Sequence, residues 1–262
     1  MGGVETDAVR YAATGGVATL TMAQPETRNA LTPELLTGLD AGLRRAERDP
    51  SVRAVVLTHA GPVFCAGADL RSGRAPTAGA GGAGGADLPA VLAALQDSPL
   101  PVLARLAGSC YGGGVGLAAA ADLSVAADDI RLGFTEVRLG VAPAVVSVVC
   151  LPKLRRGDAL ELFLTGERIT AARAVEAGLL TRAVPAAELD VAVAALLASL
   201  VAGGPRALAT AKRLVHHPPG RDRAEAFAET ATLSTELFGS EEAAEGRAAF
   251  RARRPPSWAA GP

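Results

Sequence analysis

The chain has 262 residues, enough for one large domain with a substantial core. Apolar residues make up 49% of it but aromatics only 3%, so alanine and aliphatic side chains must supply that core. A net charge of −1 gives no electrostatic footing for nucleic acid or an acidic membrane surface.

Val17–Met22 alternates Thr with apolar residues and reads as a strand. Thr32-Pro33 reads as an N-cap followed by proline at the first helical position. Leu35, Leu39 and Leu43 then form one helical stripe that ends near Asp49-Pro50. Val52–Thr58 reads as a strongly buried strand, followed by the loop Ala60-Gly61-Pro62. From Ser72 to Ala86 the chain is mostly Gly, Ala, Pro and Thr, too poor in apolar surface to order itself firmly, and reads equally as a mobile loop or as a drifted surface insertion. A helix is expected from about Leu88 to Gln96 and a strand over Pro101–Leu106.

Next comes Ser109-Cys110-Tyr111-Gly112-Gly113-Gly114-Val115-Gly116-Leu117, a glycine cluster ahead of a small-residue helix. Glycines let the backbone bend sharply and let a ligand approach it closely. The first helical turn behind them has N–H groups with no intrahelical partner, and these favour an anion or a developing oxyanion. Taken alone, the segment is equally well served by a tight strand-to-helix turn. Short strands follow at Leu123–Ala127 and Arg131–Phe134.

From Ala144 onward the chain reads as mainly helical. Ala159–Leu164 is broken by Thr165-Gly166, Ala171–Ala177 is short, and Ala186–Val201 is closed by Gly203-Gly204-Pro205. Further helices are expected over about Ala207–Val215 and Arg221–Leu237, with a short one ending near Phe250. The basic tail Arg251–Pro256 cannot be helical throughout. There is no tandem repeat at a fixed sequence period.

Cys65, Cys110 and Cys150 form no metal-type pair, so a disulfide framework or zinc site is not expected, and a reducing cytoplasm is the simplest setting. His59, His216 and His217 are scattered and read as surface or loop residues. No apolar stretch reaches membrane-spanning length, and the N-terminus lacks a signal-peptide profile.

A second small-residue motif, Phe64-Cys65-Ala66-Gly67-Ala68-Asp69-Leu70, follows the buried Val52–Thr58 strand. Paired with the triple glycine, it resembles the enoyl-CoA hydratase/isomerase family, the crotonase superfamily. Four further segments agree: Arg28-Asn29-Ala30-Leu31, Phe134-Thr135-Glu136 with Leu139–Pro143, Leu164–Ile169 with Ala174–Leu179, and Phe250 with Arg253, Arg254 and Trp258. Together they cover nearly the whole chain in order.

The resemblance implies an α/β fold of the crotonase-like (ClpP/crotonase) type, a spiral of ββα units with a helical C-terminal region. It divides the chain into a core over residues 1–200 and a C-terminal helical, trimerising region over 201–262. It implies an acyl-CoA thioester substrate, with coenzyme A as part of the substrate and no separate cofactor or metal. It also implies a homotrimer or homohexamer. By motif match, the N–H groups of Ala68 and Gly113 form the oxyanion hole and Glu136 is the catalytic acid/base. Coenzyme A would lie near Arg28, Ala30, Ala66, Ala68 and Leu70, with Arg253 reaching it, often across a subunit boundary. Phe134, Val137 and Leu139 would give Glu136 an apolar pocket.

One departure stands out. Where typical hydratases of the family carry a second glutamate, this chain has Gly116, and the following glycine-rich segment is Pro143-Ala144-Val145-Val146-Ser147. Three readings follow. The first is hydration of a 2-enoyl-CoA, branched or carboxylated, by one glutamate. The second is 3-enoyl to 2-enoyl-CoA isomerisation, and the third is acyl-CoA binding without turnover.

Overall fold

A computed structural model describes residues 7–69, 85–218 and 222–259. Leu70 and most of the Ser72–Ala86 stretch lie outside the described residues.

β1 (Val9–Thr14) and β2 (Val17–Met22) form an antiparallel hairpin. Its turn is Gly15-Gly16, both at positive φ, as a two-residue hairpin turn requires. α1 (Pro33–Arg48) starts as expected, with the Thr32 side chain accepting from Leu35 N–H at 3.2 Å. Its buried stripe includes Leu35, Leu39 and Leu43. α1 lies so close to β2 that a Cβ on Gly42 would sit 2.6 Å from Leu20 Cδ2.

Three strand–strand–helix turns follow. The first is β3 (Ala54–His59), β4 (Val63–Cys65) and α2 (Leu88–Asp97). The second is β5 (Val102–Leu106), β6 (Ser109–Tyr111) and α3 (Gly113–Ala120). The third is β7 (Leu123–Ala127), β8 (Arg131–Gly133), a 3₁₀ turn over Thr135–Leu139 and α4 (Ala144–Cys150). The first strand of each turn joins one sheet and the second strand joins another. After α5 (Arg156–Thr165), β9 (Ile169–Thr170) adds to the second sheet. α6 (Ala171–Glu176) then leads to β10 (Arg182–Val184), at the far edge of the first. The sheets run β1-β2-β3-β5-β7-β10 and β4-β6-β8-β9. All neighbours are parallel except β1–β2 and β8–β9. This is the ββα spiral that the resemblance implies.

α7 (Leu189–Ala202), α8 (Pro205–His216), α9 (Arg223–Phe238) and α10 (Glu241–Ala252) complete the chain. No single helix among the described residues is long and apolar enough to cross a membrane. The three cysteines are buried free thiols.

α3 sits at the centre, with every residue buried. Its glycines and alanines are a consequence, because there is no room for more. A Cβ on Gly114 would lie 2.7 Å from both Cβ and O of Cys65 on β4.

The histidines are not loop residues as a group. His59 is buried on β3, where Nε2 accepts from Ala107 N–H at 3.1 Å. His216 lies in α8, half-buried, 3.0 Å from Asp122 Oδ1; His217 is exposed just beyond that helix. Both contacts are long-range, so local sequence carries no trace of them.

Asp122 is the hub of the C-terminal end of α3. Its Oδ2 accepts from Val102 N–H at 2.7 Å and pairs with Lys212 Nζ at 2.9 Å. Lys212 also donates to the carbonyls of Leu95 (2.8 Å) and Leu100 (3.0 Å). Burial pushes its pKa down, and Asp122 opposes that shift. One ammonium thus ties α8 to both ends of the α2–β5 connection. Lys212→Met is expected to cost about 3 kcal/mol in urea unfolding, because it takes the ammonium from the Asp122 carboxylate and the donor from two carbonyls. A loss under about 1 kcal/mol, the range of an exposed pair, would mean the ammonium is not holding α8 in place.

Candidate active site

Two loops are held side by side next to α3. The chain after β4 runs along the segment after the 3₁₀ turn Pro25–Thr27. Ala66 N–H donates to Arg28 O at 3.0 Å and Leu31 N–H to Gly67 O at 2.8 Å, and Leu31 pairs with Ala68 as a parallel bridge. Arg28 and Asn29 both have positive φ, which turns the chain back toward β4.

Asn29 fixes this juxtaposition. It is fully buried, its Nδ2 donates to Ala60 O (3.1 Å) and Val63 O (2.9 Å), and its Oδ1 accepts from Gln24 N–H (2.9 Å). Within the Arg28-Asn29-Ala30-Leu31 segment, sequence alone assigns Asn29 no role. Its one local signal is that asparagine tolerates the left-handed region.

The second loop is the β6–α3 turn. Gly112 adopts φ 52°, ψ −119°, a backbone conformation that a side chain would strain. Gly67, at φ 87°, brings the two loops together: a Cβ there would lie 3.0 Å from Tyr111 O and 3.6 Å from Gly113 N. Gly113 opens α3, so its N–H has no intrahelical acceptor. Among the described residues, neither Ala68 N–H nor Gly113 N–H has a hydrogen-bond acceptor. Two backbone donors from separate loops are therefore available at one place.

Glu136 comes to this place from the 3₁₀ turn after β8. The turn is anchored by buried Phe134, whose ring lies 4.4 Å from that of Phe163. Its end is closed by Gly140 and Val141, whose N–H groups donate to Glu136 O. A Cβ on Gly112 would lie 2.8 Å from Glu136 Oε1, so the carboxyl group rests against the glycine turn. Its Oε2 is buried without a hydrogen-bond partner among the described residues. Desolvation by burial raises the Glu136 pKa above the ordinary carboxylate range. The group is positioned and electrostatically poised to exchange a proton.

The expected pocket for Glu136 is only partly as the sequence suggested. Phe134 is buried and Val137 half-buried, but Leu139 is 55% exposed. No residue of the 3₁₀ turn is fully buried, and exposure rises toward its end, where Arg138 and Leu139 are exposed. The Gly112 turn lies against the carboxyl group instead.

The other expected residues divide clearly. Arg28 is exposed, Ala30 is buried, and Ala66 and Ala68 are half-buried, all on the two joined segments. Arg253 is exposed in the αL cap of α10. No described contact of Arg253 joins it to those segments. The tail around it is instead tied to the β3 and α7 ends: Arg53 donates to Trp258 O, and Trp258 Nε1 donates to Ala202 O.

A cavity of about 490 Å³ lies elsewhere, between the end of α2 and helices α8 and α9, and includes Asp97, Arg206, Arg213 and His217. None of the residues that meet at Glu136 lines it.

A family model described as enoyl-CoA hydratase/isomerase matches residues 12–261. Enoyl-CoA hydratase EchA19 of Mycobacterium tuberculosis is 30% identical over 243 residues, covering 91% of each chain. An enoyl-CoA hydratase crystal structure from Mycobacterium smegmatis superposes with a TM-score of 0.85 at 32% identity, over 96% of this chain and 98% of that one. An enoyl-CoA hydratase/isomerase from Marinobacter aquaeolei gives a TM-score of 0.87 at 29% identity, over 97% and 99%. The chain belongs to the enoyl-CoA hydratase/isomerase family, and its ββα spiral is the crotonase fold.

Proposed function

We propose that this protein is an enoyl-CoA hydratase that works with one carboxylate, adding water to a 2-enoyl-CoA with a branched or carboxylated acyl group. The observation that carries the reading is the buried, unpartnered Oε2 of Glu136 beside a glycine turn with two available backbone donors. The names of the relatives support hydration.

In this reading the thioester oxygen accepts from Ala68 N–H and Gly113 N–H. Charge grows on that oxygen when C3 is attacked, and donors already in place cost no reorganisation. Each such donor contributes about 2.7–4 kcal/mol to lowering the barrier. Glu136 takes a proton from water as the water oxygen bonds to C3. The C2=C3 electron pair moves onto the enolate. Glu136 then returns a proton to C2, so one water is consumed and the carboxylate is regenerated. Coenzyme A lies along Arg28, Ala30, Ala66, Ala68 and Leu70, with the Arg28 guanidinium available to a phosphate. Arg253 reaches the coenzyme from a second copy in a homotrimer or homohexamer. The α9 helix supports such assembly, since none of its residues is buried and Phe227 and Phe238 are exposed.

A second reading, 3-enoyl to 2-enoyl-CoA isomerisation, is favoured by one observation. The three nearest described atoms that a Cβ on Gly116 would meet are hydrocarbon, from Val146 and Leu92. A single carboxylate suffices to move one proton from C2 to C4.

Turnover of straight-chain 2-enoyl-, straight-chain 3-enoyl- and methylglutaconyl-CoA, followed by mass spectrometry, separates these readings. A product heavier by one water is expected from a 2-enoyl thioester. Unchanged mass with a moved double bond replaces the first reading with the second. Tight acyl-CoA binding with no product from any of them identifies a binding protein.

A further inference from the structure

Gly112 caps α3 with a non-helical backbone, and Gly116 lies four residues on, at the end of the first turn of the helix. A Cβ on Gly112 would meet Glu136, and one on Gly116 would meet Val146 of α4. A Cβ on Gly116 would lie 2.5 Å from Val146 Cγ1 and 3.2 Å from Val146 Cβ, with Leu92 Cδ1 at 3.7 Å. Val146 and Leu92 are both buried. Helical side chains lean toward the N-terminus of their helix. A side chain at position 116 would therefore lean along α3 toward its N-terminal end, the end against which the Glu136 carboxyl group rests.

We propose that Val146 is a specificity-determining residue: its side chain fills the space where a second carboxyl group, carried at position 116, would meet Glu136, and so holds the centre to one carboxylate. Leu92 closes the other side of the same space. Gly116 and Val146 are then a matched pair, and neither can be changed alone to put a carboxylate there. The geometry stands on the packing alone; its consequence for product choice rests on the enoyl-CoA reading above.

The experiment is a double-mutant cycle of Gly116→Ala and Gly116→Glu, each with and without Val146→Ala, read first by thermal melting. Both single changes at 116 are expected to lower Tm, and V146A is expected to recover much of the loss. G116E melting like the parent would overturn the proposal, and G116A keeps the cycle readable if G116E does not fold. In the folded G116E/V146A protein, the ratio of hydrated to double-bond-shifted product is expected to rise about tenfold or more over the parent. An unchanged ratio in an active double variant would overturn Val146's role in specificity. If neither parent nor variants turn over any enoyl-CoA, the enoyl-CoA reading fails and the titration of ¹³C-labelled Glu136 decides. Two carboxyl groups sharing one site raise a midpoint by about one unit or more. That rise in the double variant would support the proposal, and an unmoved midpoint would overturn it.

Discussion

Glu136→Gln is expected to lower kcat by about 10²- to 10⁴-fold while leaving acyl-CoA binding intact, and to raise Tm at neutral pH. The amide keeps the size and shape of the carboxyl group, so the Gly112 turn and the two backbone donors should be undisturbed. What it loses is the capacity to take up and return a proton. The stability gain has a separate cause. Desolvation by burial disfavours the Glu136 carboxylate, so its folded-state pKa lies above its unfolded one. Between those two values the folded protein holds more protons than the unfolded chain. The stabilisation from the protonated form is complete below the unfolded pKa and is lost as pH rises through the folded one. Gln has no such dependence. Melting curves of parent and variant should therefore converge below the unfolded-state pKa, about 4, and separate as pH rises, with the variant higher at neutral pH. Full turnover in the variant would remove Glu136 from the mechanism. A Tm gap of one size at every pH would show that its charge is not desolvated in the folded state.

The parts of the fold that were legible in the sequence are those with long periods. The stripe and Thr32 cap of α1 and the buried β3 each span enough residues for a pattern to emerge. β6 and β9, of 3 and 2 residues, are too short for any alternation, and the second sheet is built entirely from such pieces. β1 is a sheet edge with four of its six residues exposed, so its burial pattern does not alternate either. α3 is readable for the opposite reason. Close packing on every side forces it to be small-residue throughout, and only that constraint produces so plain a run.

The site was legible where backbone chemistry dictates residue type. Gly67, Gly112 and Gly113 are needed because the loops approach too closely for a Cβ, and glycine marks such places in a sequence. Glu136 was found by its place in a motif; its burial against Gly112 could not be read from neighbours in sequence, as Leu139 shows. Val146 carries no mark at all. It is one valine among several, and its meaning comes from the missing side chain across from it on α3.

Asn29→Ala is expected to cost about 3 kcal/mol of stability in urea unfolding and to weaken acyl-CoA binding more than it slows turnover. The alanine deletes two donors and one acceptor, leaving Ala60 O, Val63 O and Gln24 N–H without their partners. Each such loss costs about 1–3 kcal/mol when the group stays dry, and these three are half-buried, so water recovers part of it. Holding alanine at φ 52° adds about 1 kcal/mol. The damage falls on one structural relation, the register between the Arg28–Leu31 turn and the chain after β4, which carries Ala66 and Ala68. KM should therefore rise before kcat falls. Asn29→Asp separates the hydrogen bonds from mere volume. Its carboxylate would face two carbonyl oxygens that need donors, so it should be less stable than the alanine variant near neutral pH. Its folded-state pKa is then raised, so the loss shrinks as pH falls and the group protonates to a donor. Equal stability of N29D and the parent near neutral pH would show that the two carbonyls do not depend on this side chain, and that the loops are held together by their backbone bonds alone.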